Sequence, residues 1–344
     1  MKMPILYDAI YIEVTSDCML SCPYCYHGSR RGTGNYFPLE RYRFLLNELP
    51  AGVTVDLSGG EPLLHPDIRT MICLTAEKGY RIRLITNGIL LADFPEEELS
   101  LLDTVAISLD GTTQEEHDAI RGKGSFQKTE RGLAKLRDAG LSDRVTFDVT
   151  VSHRNVDHLE DFLQYALSWG AGSVNFGNLH SVPEGENPFI ERESLSTGEA
   201  LALYEQTTAF REAYRERLLV VPTRNIGGGC PLITPGSHWG LRIDAEMNVY
   251  PCEGFCGTGF SLGNLSNRSM DEVLEGSRCQ EIADFLLTRI EKIEECRRCV
   301  LKGIFCLGGC AADAYFRKTD CLCTDGACNV RRRQAYRQLL TVKS

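Results

Sequence analysis

Along residues 9–178, short runs of β-branched and aliphatic side chains alternate with longer stretches whose apolar positions recur every three or four residues. The runs AIYIEVT (9–15), VTVDLS (53–58), RIRLIT (81–86), TVAISL (104–109), RVTFDVTV (144–151) and SVNFGN (173–178) have the length and residue types of buried strands. Between them PLERYRFLLNEL, PDIRTMICLTAEKG, FQKTERGLAKLRDAG and VDHLEDFLQYALSWG carry helical spacing, and the last three close on a glycine. Six β/α units predict parallel strands with right-handed crossovers, an α/β class. Six strands rather than eight predict a partly open barrel, (β/α)6.

The pattern changes after residue 180. Residues 181–195, SVPEGENPFIERESL, are rich in Pro, Glu and Ser and read as a linker, with a helix over 197–217 behind it. From GGGCP (227–231) onward the elements are short and cysteine-rich, the kind of region that needs staples or metal to hold a fold. This predicts a barrel over 1–180, a linker and helix over 181–225, and a cysteine-rich domain over 226–344.

With 344 residues, 43% of them hydrophobic, the chain can bury a sizeable core. No apolar run approaches the roughly 18 residues of a membrane span, and the start MKMPILYDAIYIEVTSD lacks a signal peptide's apolar region. The expected location is cytoplasmic. A net charge of −10 argues against nucleic-acid binding and favours neutral or cationic partners. The basic run RRRQAYRQLL reads as a solvated helix face. Of fifteen cysteines, four (18, 22, 25, 73) precede residue 230 and eleven crowd between 230 and 328. In a reducing compartment such crowding points to metal or redox chemistry rather than disulfides.

Chemistry in parallel β/α folds collects beyond the carboxyl ends of the strands. There the first strand is followed by SDCMLSCPYCYHGS (16–29), the second by GGEP (59–62), the third by TNG (86–88) and the fourth by DG (110–111). Cys18, Cys22 and Cys25 could line a core, although Pro23 disfavours the helix this needs. They could bind zinc with His27 as fourth ligand. They could also hold an iron–sulfur cluster with one iron left open.

The spacing Cys-x3-Cys-x2-Cys, with Tyr24 before the last, resembles the signature of radical S-adenosylmethionine (SAM) enzymes. SGGEP (58–62), TNG, SLDG (108–111) and HDAIRGKGSF (117–126) continue that resemblance. It implies a [4Fe–4S] cluster on Cys18, Cys22 and Cys25 whose open iron binds SAM. One electron then cleaves SAM to methionine and a 5′-deoxyadenosyl radical, which takes a hydrogen atom from the substrate. It implies cofactor contacts from Tyr24, Gly59, Gly60, Glu61, Asn87, Ser108, Asp110 and Arg121. The glycines would admit a close backbone approach, Glu61 would order the region of the ammonium, Ser108 and Asp110 would meet the ribose hydroxyls or carboxylate side, and Arg121 would grip the carboxylate.

CRRCVLKGIFCLGGC (296–310), with Cys328 beyond it and Cys230 and Cys252 before it, resembles the SPASM domain of peptide-modifying radical SAM enzymes. Carried over, Cys296, Cys299, Cys306 and Cys328 would hold an outer auxiliary [4Fe–4S] cluster, with Cys321 and Cys323 as alternatives to Cys328. Cys230, Cys252 and Cys310 would hold an inner one, with Cys256 as its candidate fourth ligand; zinc is the alternative for this region. Three clusters in all are expected. Met247 stands where the family has glycine, so the hairpin turn there is expected to differ. Cys73 and Cys279 read as core thiols, while Cys256, Cys321 and Cys323 are alternative hydrogen-atom donors. In relatives that oxidise a peptide side chain, the residue after the second cysteine is an acid that takes a proton, and Glu253 occupies that position.

The resulting expectation is an oxidoreductase that modifies a neutral or basic ribosomal peptide or protein segment by cross-linking, oxidation or epimerisation, served by an external one-electron reductant of the flavodoxin or ferredoxin type. The first strand starts near residue 9, leaving no room for an N-terminal peptide-recognition domain, so recognition is expected either from a separate protein or from a short peptide adding a strand to a sheet edge. The rival readings are a radical dehydrogenase or epimerase of a small molecule such as an aminosugar, and an iron–sulfur or zinc carrier or scaffold.

Overall fold

A computed structural model describes residues 5–28, 32–179, 187–223, 230–234, 237–318 and 320–341. Linker residues 181–186 and the glycines 227–229 lie outside the described residues. The strands β1 (Ala9–Thr15), β2 (Thr54–Gly59), β3 (Arg81–Thr86), β4 (Thr104–Ser108), β5 (Val145–Val151) and β6 (Ser173–Asn178) lie side by side in chain order, all parallel. Along β1 the side chains alternate between the two faces. Ile10, Ile12 and Val14 are wholly buried in the main apolar core, which also holds Leu45, Ile72, Leu133 and Phe162 from the flanking helices. Tyr11 and Glu13 take the other face.

That second face is polar and curls on itself. Arg83 of β3 reaches Asp148 of β5 at 3.2 Å, passing over β4, and lies 3.8 Å from Asp56 of β2. The helices Leu39–Leu46, Ile68–Glu77, Ser125–Asp138 and Leu159–Trp169 stand where the periodicity puts them. The helix Thr197–Tyr214 starts on a capping box in which Ser196 and Glu199 each satisfy the other's backbone N–H.

The sheet does not stop at six strands. β7 (Leu219–Val221) adds to β6 in parallel, so the 181–225 segment contributes a strand as well as its helix. At the opposite edge β8 (Leu241–Ile243) pairs in parallel with β1, and β9 (Asn248–Tyr250) and β10 (Gly263–Asn264) continue as an antiparallel meander. The cysteine-rich region therefore extends the barrel's own sheet, in the order β10-β9-β8-β1-β2-β3-β4-β5-β6-β7. Strands of two or three residues carry no readable period, which is why the pattern missed them.

The β8–β9 turn keeps the geometry a glycine would give. Met247 has φ 68°, and the Asp244 carboxylate accepts from the N–H groups of Glu246 and Asn248. Met247 holds the left-handed position at a cost of about 1–2 kcal/mol.

Farther along, Arg289 on the helix Ser277–Lys292 is wholly buried and donates to four carbonyls, those of Gly308, Gly309, Cys321 and Cys323. It pins together the loops that carry the last cysteines.

Candidate active site

The loop after β1 is closed at its base before its cysteines are placed. Phe37 N–H donates to Val14 O at 2.8 Å, Ser16 N–H to Asn35 O at 3.0 Å, and the Asp17 carboxylate takes Gly34 N–H and the Tyr36 hydroxyl. Inside it, Cys25 N–H reaches Cys22 O and Gly28 N–H reaches Cys25 O, two tight turns that bring the thiols together. Cys18, Cys22 and Cys25 all face one cavity of about 250 Å³. Burial pushes the Cys18 thiol up to about 11; its neighbours Glu61, Cys22 and Cys25 add to the rise, while Leu20 N–H opposes it. A metal centre would have to take these sulfurs as thiolates and release their protons.

Gly59, Gly60, Asn87, Ser108, Arg121 and Tyr24 bound the same cavity. The two glycines are required for a reason the sequence did not supply. A Cβ on Gly59 would stand 2.2 Å from Thr15 O, and one on Gly60 would stand 2.2 Å from Asp17 O. They let β2 close against the start of the cysteine loop, as well as leaving the cavity wall bare.

Glu61 stands behind the cavity wall rather than on it. It is fully buried, accepting Leu63 N–H and the Thr86 hydroxyl on one oxygen and Asn87 N–H on the other. It fixes Asn87, whose backbone it holds and whose amide points at Met19 Sδ (3.2 Å) and Cys18 Sγ (3.9 Å). Burial raises its carboxyl to about 7 against those three hydrogen bonds.

Asp110 and Arg121 likewise serve each other. Arg121 Nε donates to Asp110 at 2.6 Å and its Nη2 to the Tyr24 hydroxyl at 2.7 Å, while that hydroxyl donates to Asp110. Asp110 also takes Thr150 N–H, so its carboxylate is a buried hub that ties the cysteine loop to β5. Of the pair, Arg121 is the one on the cavity wall.

A second cavity of about 450 Å³ adjoins the first, sharing Tyr24, Tyr26, Thr150 and Glu253 with it. Its further walls include Gly177, Leu179, Phe316, Cys252, Cys256 and Cys310. Glu253 stands at the junction with its side chain 63% exposed, 3.4 Å from Arg242. Arg242 is the residue the sequence reading missed. Buried on β8, it donates to Glu13 of β1 at 2.9 Å and to the Tyr26 hydroxyl, and its guanidinium lies 4.4 Å from the Tyr26 ring centre. His27, which also lines the first cavity, has Nε2 3.0 Å from Tyr26 Oη and Nδ1 3.8 Å from Glu13. Cys256 donates to Glu13 at 3.3 Å.

In the cysteine-rich region burial raises the Cys296 thiol to about 11, and the charges of Cys306, Cys328 and Cys299 add to the rise. Cys323 instead points at Ala314 O and Asp320 O, and Cys321 lies toward Cys310 and Cys323. Cys230 bounds a separate cavity of about 390 Å³ together with Cys306 and Arg331.

Comparison with known proteins agrees with this geometry. Residues 12–166 match the radical SAM superfamily, and residues 237–300 match SPASM, an iron–sulfur cluster-binding domain. The chain is 27% identical over 321 residues to mycofactocin maturase MftC of Mycolicibacterium smegmatis, covering 88% of this chain and 78% of that one. It is 27% identical over 327 residues to the antilisterial bacteriocin subtilosin biosynthesis protein AlbA of Bacillus subtilis, covering 90% and 69%. The solved structure of native anSMEcpe with bound AdoMet and the Cp18Cys peptide shares the fold with a TM-score of 0.72 at 22% identity, covering 97% of this chain and 98% of that one.

Proposed function

We propose, for a chain that belongs to the radical SAM superfamily and carries a C-terminal SPASM domain, that it modifies a ribosomal peptide or a protein segment. One observation carries this reading: the cavity of Cys18, Cys22 and Cys25 opens into a second one walled by Cys252, Glu253 and Cys310. The likeness to maturases supports a peptide as the occupant of the second.

The donor set fits an iron–sulfur cluster and SAM. Three thiols face one cavity whose wall is kept bare by Gly59 and Gly60, with Asn87, Ser108 and Arg121 around it. When bound, cluster and SAM supply one-electron chemistry that ends in removal of a hydrogen atom from the substrate. The chain's own part is to orient and to move a proton. Tyr24, Asp110 and Arg121 hold the cysteine loop still, and Glu61 sets the Asn87 backbone. Arg242 holds Glu253 at the junction, where its carboxylate takes a proton from the reacting side chain.

In this reading three [4Fe–4S] clusters are bound, the outer one by Cys296, Cys299, Cys306 and Cys328 and the inner one by Cys230, Cys252, Cys310 and Cys256. An external one-electron reductant drives the enzyme, a separate recognition protein presents the peptide, and the setting is cytoplasmic, as the crowding of eleven cysteines between 230 and 328 supports.

The test is hydrogen transfer. Holoenzyme, SAM, reductant and candidate precursor peptides deuterated at carbon should yield deuterium in 5′-deoxyadenosine. Cys18, Cys22 and Cys25 replaced together by Ala should abolish 5′-deoxyadenosine while leaving the iron of the C-terminal region in place. Deuterium from an aminosugar but from no peptide, with a recognition partner present, would overturn the substrate reading.

A further inference from the structure

We propose that Asn187 and Phe189 are positioning residues: the short helix that carries Phe189 is a clasp on the cysteine loop and sets how the first cavity grips SAM. The proposal rests on the reading that this cavity takes SAM.

Residues 181–195 read as a linker in the sequence, yet Pro188–Glu193 is a helix. Asn187 has two roles at its start. Its Oδ1 caps the helix, accepting Phe189 N–H at 3.0 Å and Ile190 N–H at 3.2 Å. Its Nδ2 donates to Pro23 O at 2.8 Å, 164 positions away in the chain. Phe189 reaches the same loop, its ring centre 6.1 Å from that of Tyr24.

Those two contacts fall on the turn that spaces the thiols. Cys25 N–H donates to Cys22 O at 3.2 Å, so Pro23 and Tyr24 are the central residues of a β-turn between two of the three cysteines. Such turns have two common forms that differ by a flip of the central peptide plane, and a proline in the first central position suits either. The flipped form needs a positive φ at the second central residue. Met247 is the one non-glycine residue with a positive φ among the described residues, so Tyr24 holds the unflipped form. Asn187 ties down the carbonyl of that plane, and Phe189 backs the ring that follows it. Tyr24 lines both cavities, and its hydroxyl accepts from Arg121 Nη2 at 2.7 Å on the wall of the first. The clasp therefore acts on Cys22 and Cys25 through the backbone and on Arg121 through the tyrosine.

The clasp is itself anchored. The Glu193 carboxylate accepts from Arg192 Nε at 2.8 Å and lies 3.2 Å from Arg154 Nε, while His153 N–H donates to Glu193 O at 2.9 Å. The guanidiniums of Arg154 and Arg192 stand 5.5 and 5.9 Å from the Phe189 ring centre. His153 and Arg154 lie just beyond the end of β5, so the helix is fixed to the barrel's own sheet.

The experiment uses holoenzyme and three variants. Asn187→Asp keeps the acceptor that caps the helix but has no N–H for Pro23, Phe189→Ala removes the ring, and Phe189→Tyr keeps it. SAM affinity is measured by calorimetry, and KM for SAM and kcat by 5′-deoxyadenosine formation with dithionite as reductant. Loop rigidity is measured by hydrogen exchange and mass spectrometry of fragments covering residues 18–28. Asn187→Asp and Phe189→Ala should each weaken SAM binding by about fivefold or more, the worth of one hydrogen bond, and raise KM more than they lower kcat. Both should speed exchange of the loop while β3 exchanges as in the wild type. Phe189→Tyr should restore wild-type affinity. Wild-type SAM affinity in both of the first two variants would overturn the proposal, even with faster exchange of the helix, because the contacts would then serve the helix alone. If the wild type binds no SAM, the cofactor reading fails and exchange still decides the clasp: a loop as protected in both variants as in the wild type would overturn it.

Discussion

Replacing Arg289 with Met should destabilise the cysteine-rich region more than any surface substitution, although nothing in the sequence sets this arginine apart. Its Nε donates to Cys321 O at 2.9 Å, Nη1 to Gly308 O and Gly309 O at 2.8 and 3.0 Å, and Nη2 to Cys323 O at 2.9 Å. Met fills similar length but donates nothing. Four buried carbonyls losing these donors, at roughly 1–3 kcal/mol each, are offset in part because a buried cation is no longer desolvated. The net expectation is a loss of about 4 kcal/mol, or a drop in Tm of about 5 °C for a chain of this size. Arg289→Lys keeps the charge but cannot span both loops, and should lose about 2 kcal/mol. Anaerobic urea unfolding followed by near-UV circular dichroism gives the free energies, and iron analysis reports whether the loops still hold their cysteines. A Met variant within about 1 kcal/mol of wild type, with full iron, would show that the four bonds contribute little and refute this account.

Anaerobically reconstituted protein should carry about twelve irons with matching sulfide, and stoichiometric zinc with about four irons would remove the auxiliary clusters. Glu253→Gln keeps shape but removes the base, so 5′-deoxyadenosine should persist while product formation falls by about 10²-fold or more; full product yield would return Glu253 to a solvated loop. Burial raises Asp56 to about 6, against the pull of Arg83. Because the folded form holds its proton more tightly than the unfolded one, this group's contribution to stability is full below about pH 4. It then falls by about 3 kcal/mol as pH rises through 6. Asp56→Asn should remove that slope in urea titrations across pH 4 to 7, and an unchanged slope would reject the assignment. Gly60→Ala drives a Cβ to 2.2 Å from Asp17 O, so it should cost about 3 kcal/mol and weaken SAM binding by about tenfold in calorimetry; wild-type affinity would contradict it.

What was legible in the sequence was what is local. The runs at 9–15, 81–86 and 173–178 coincide with β1, β3 and β6 because a strand with one face in the core repeats apolar residues at alternate positions along its own length. The cysteine loop was legible for the same reason: three cysteines within eight residues need no tertiary contact to be recognised. Direction was not legible. Glu61 and Asp110 stand behind the cavity wall, and both turn their carboxylates to the protein's own backbone and side chains, which spacing cannot report. Nor were partners far apart in the chain. Arg242 and Glu13 are 229 positions apart, and a lone arginine in a short apolar run reads as a surface residue until its carboxylate is placed beside it.

The pairing of β8 with β1 has a consequence for how the molecule is made. β1 leaves the ribosome before β2, which soon covers one of its edges. Its other edge waits for Leu241–Ile243, some 225 residues later. At elongation rates of roughly 5–20 residues per second that is roughly 10 to 45 s in which an apolar strand offers an open row of backbone groups, with the Glu13 carboxylate beside it lacking its arginine. The nascent chain is therefore most exposed to mispairing before its last third is translated, and a chaperone that shields that edge would protect the enzyme at its weakest moment.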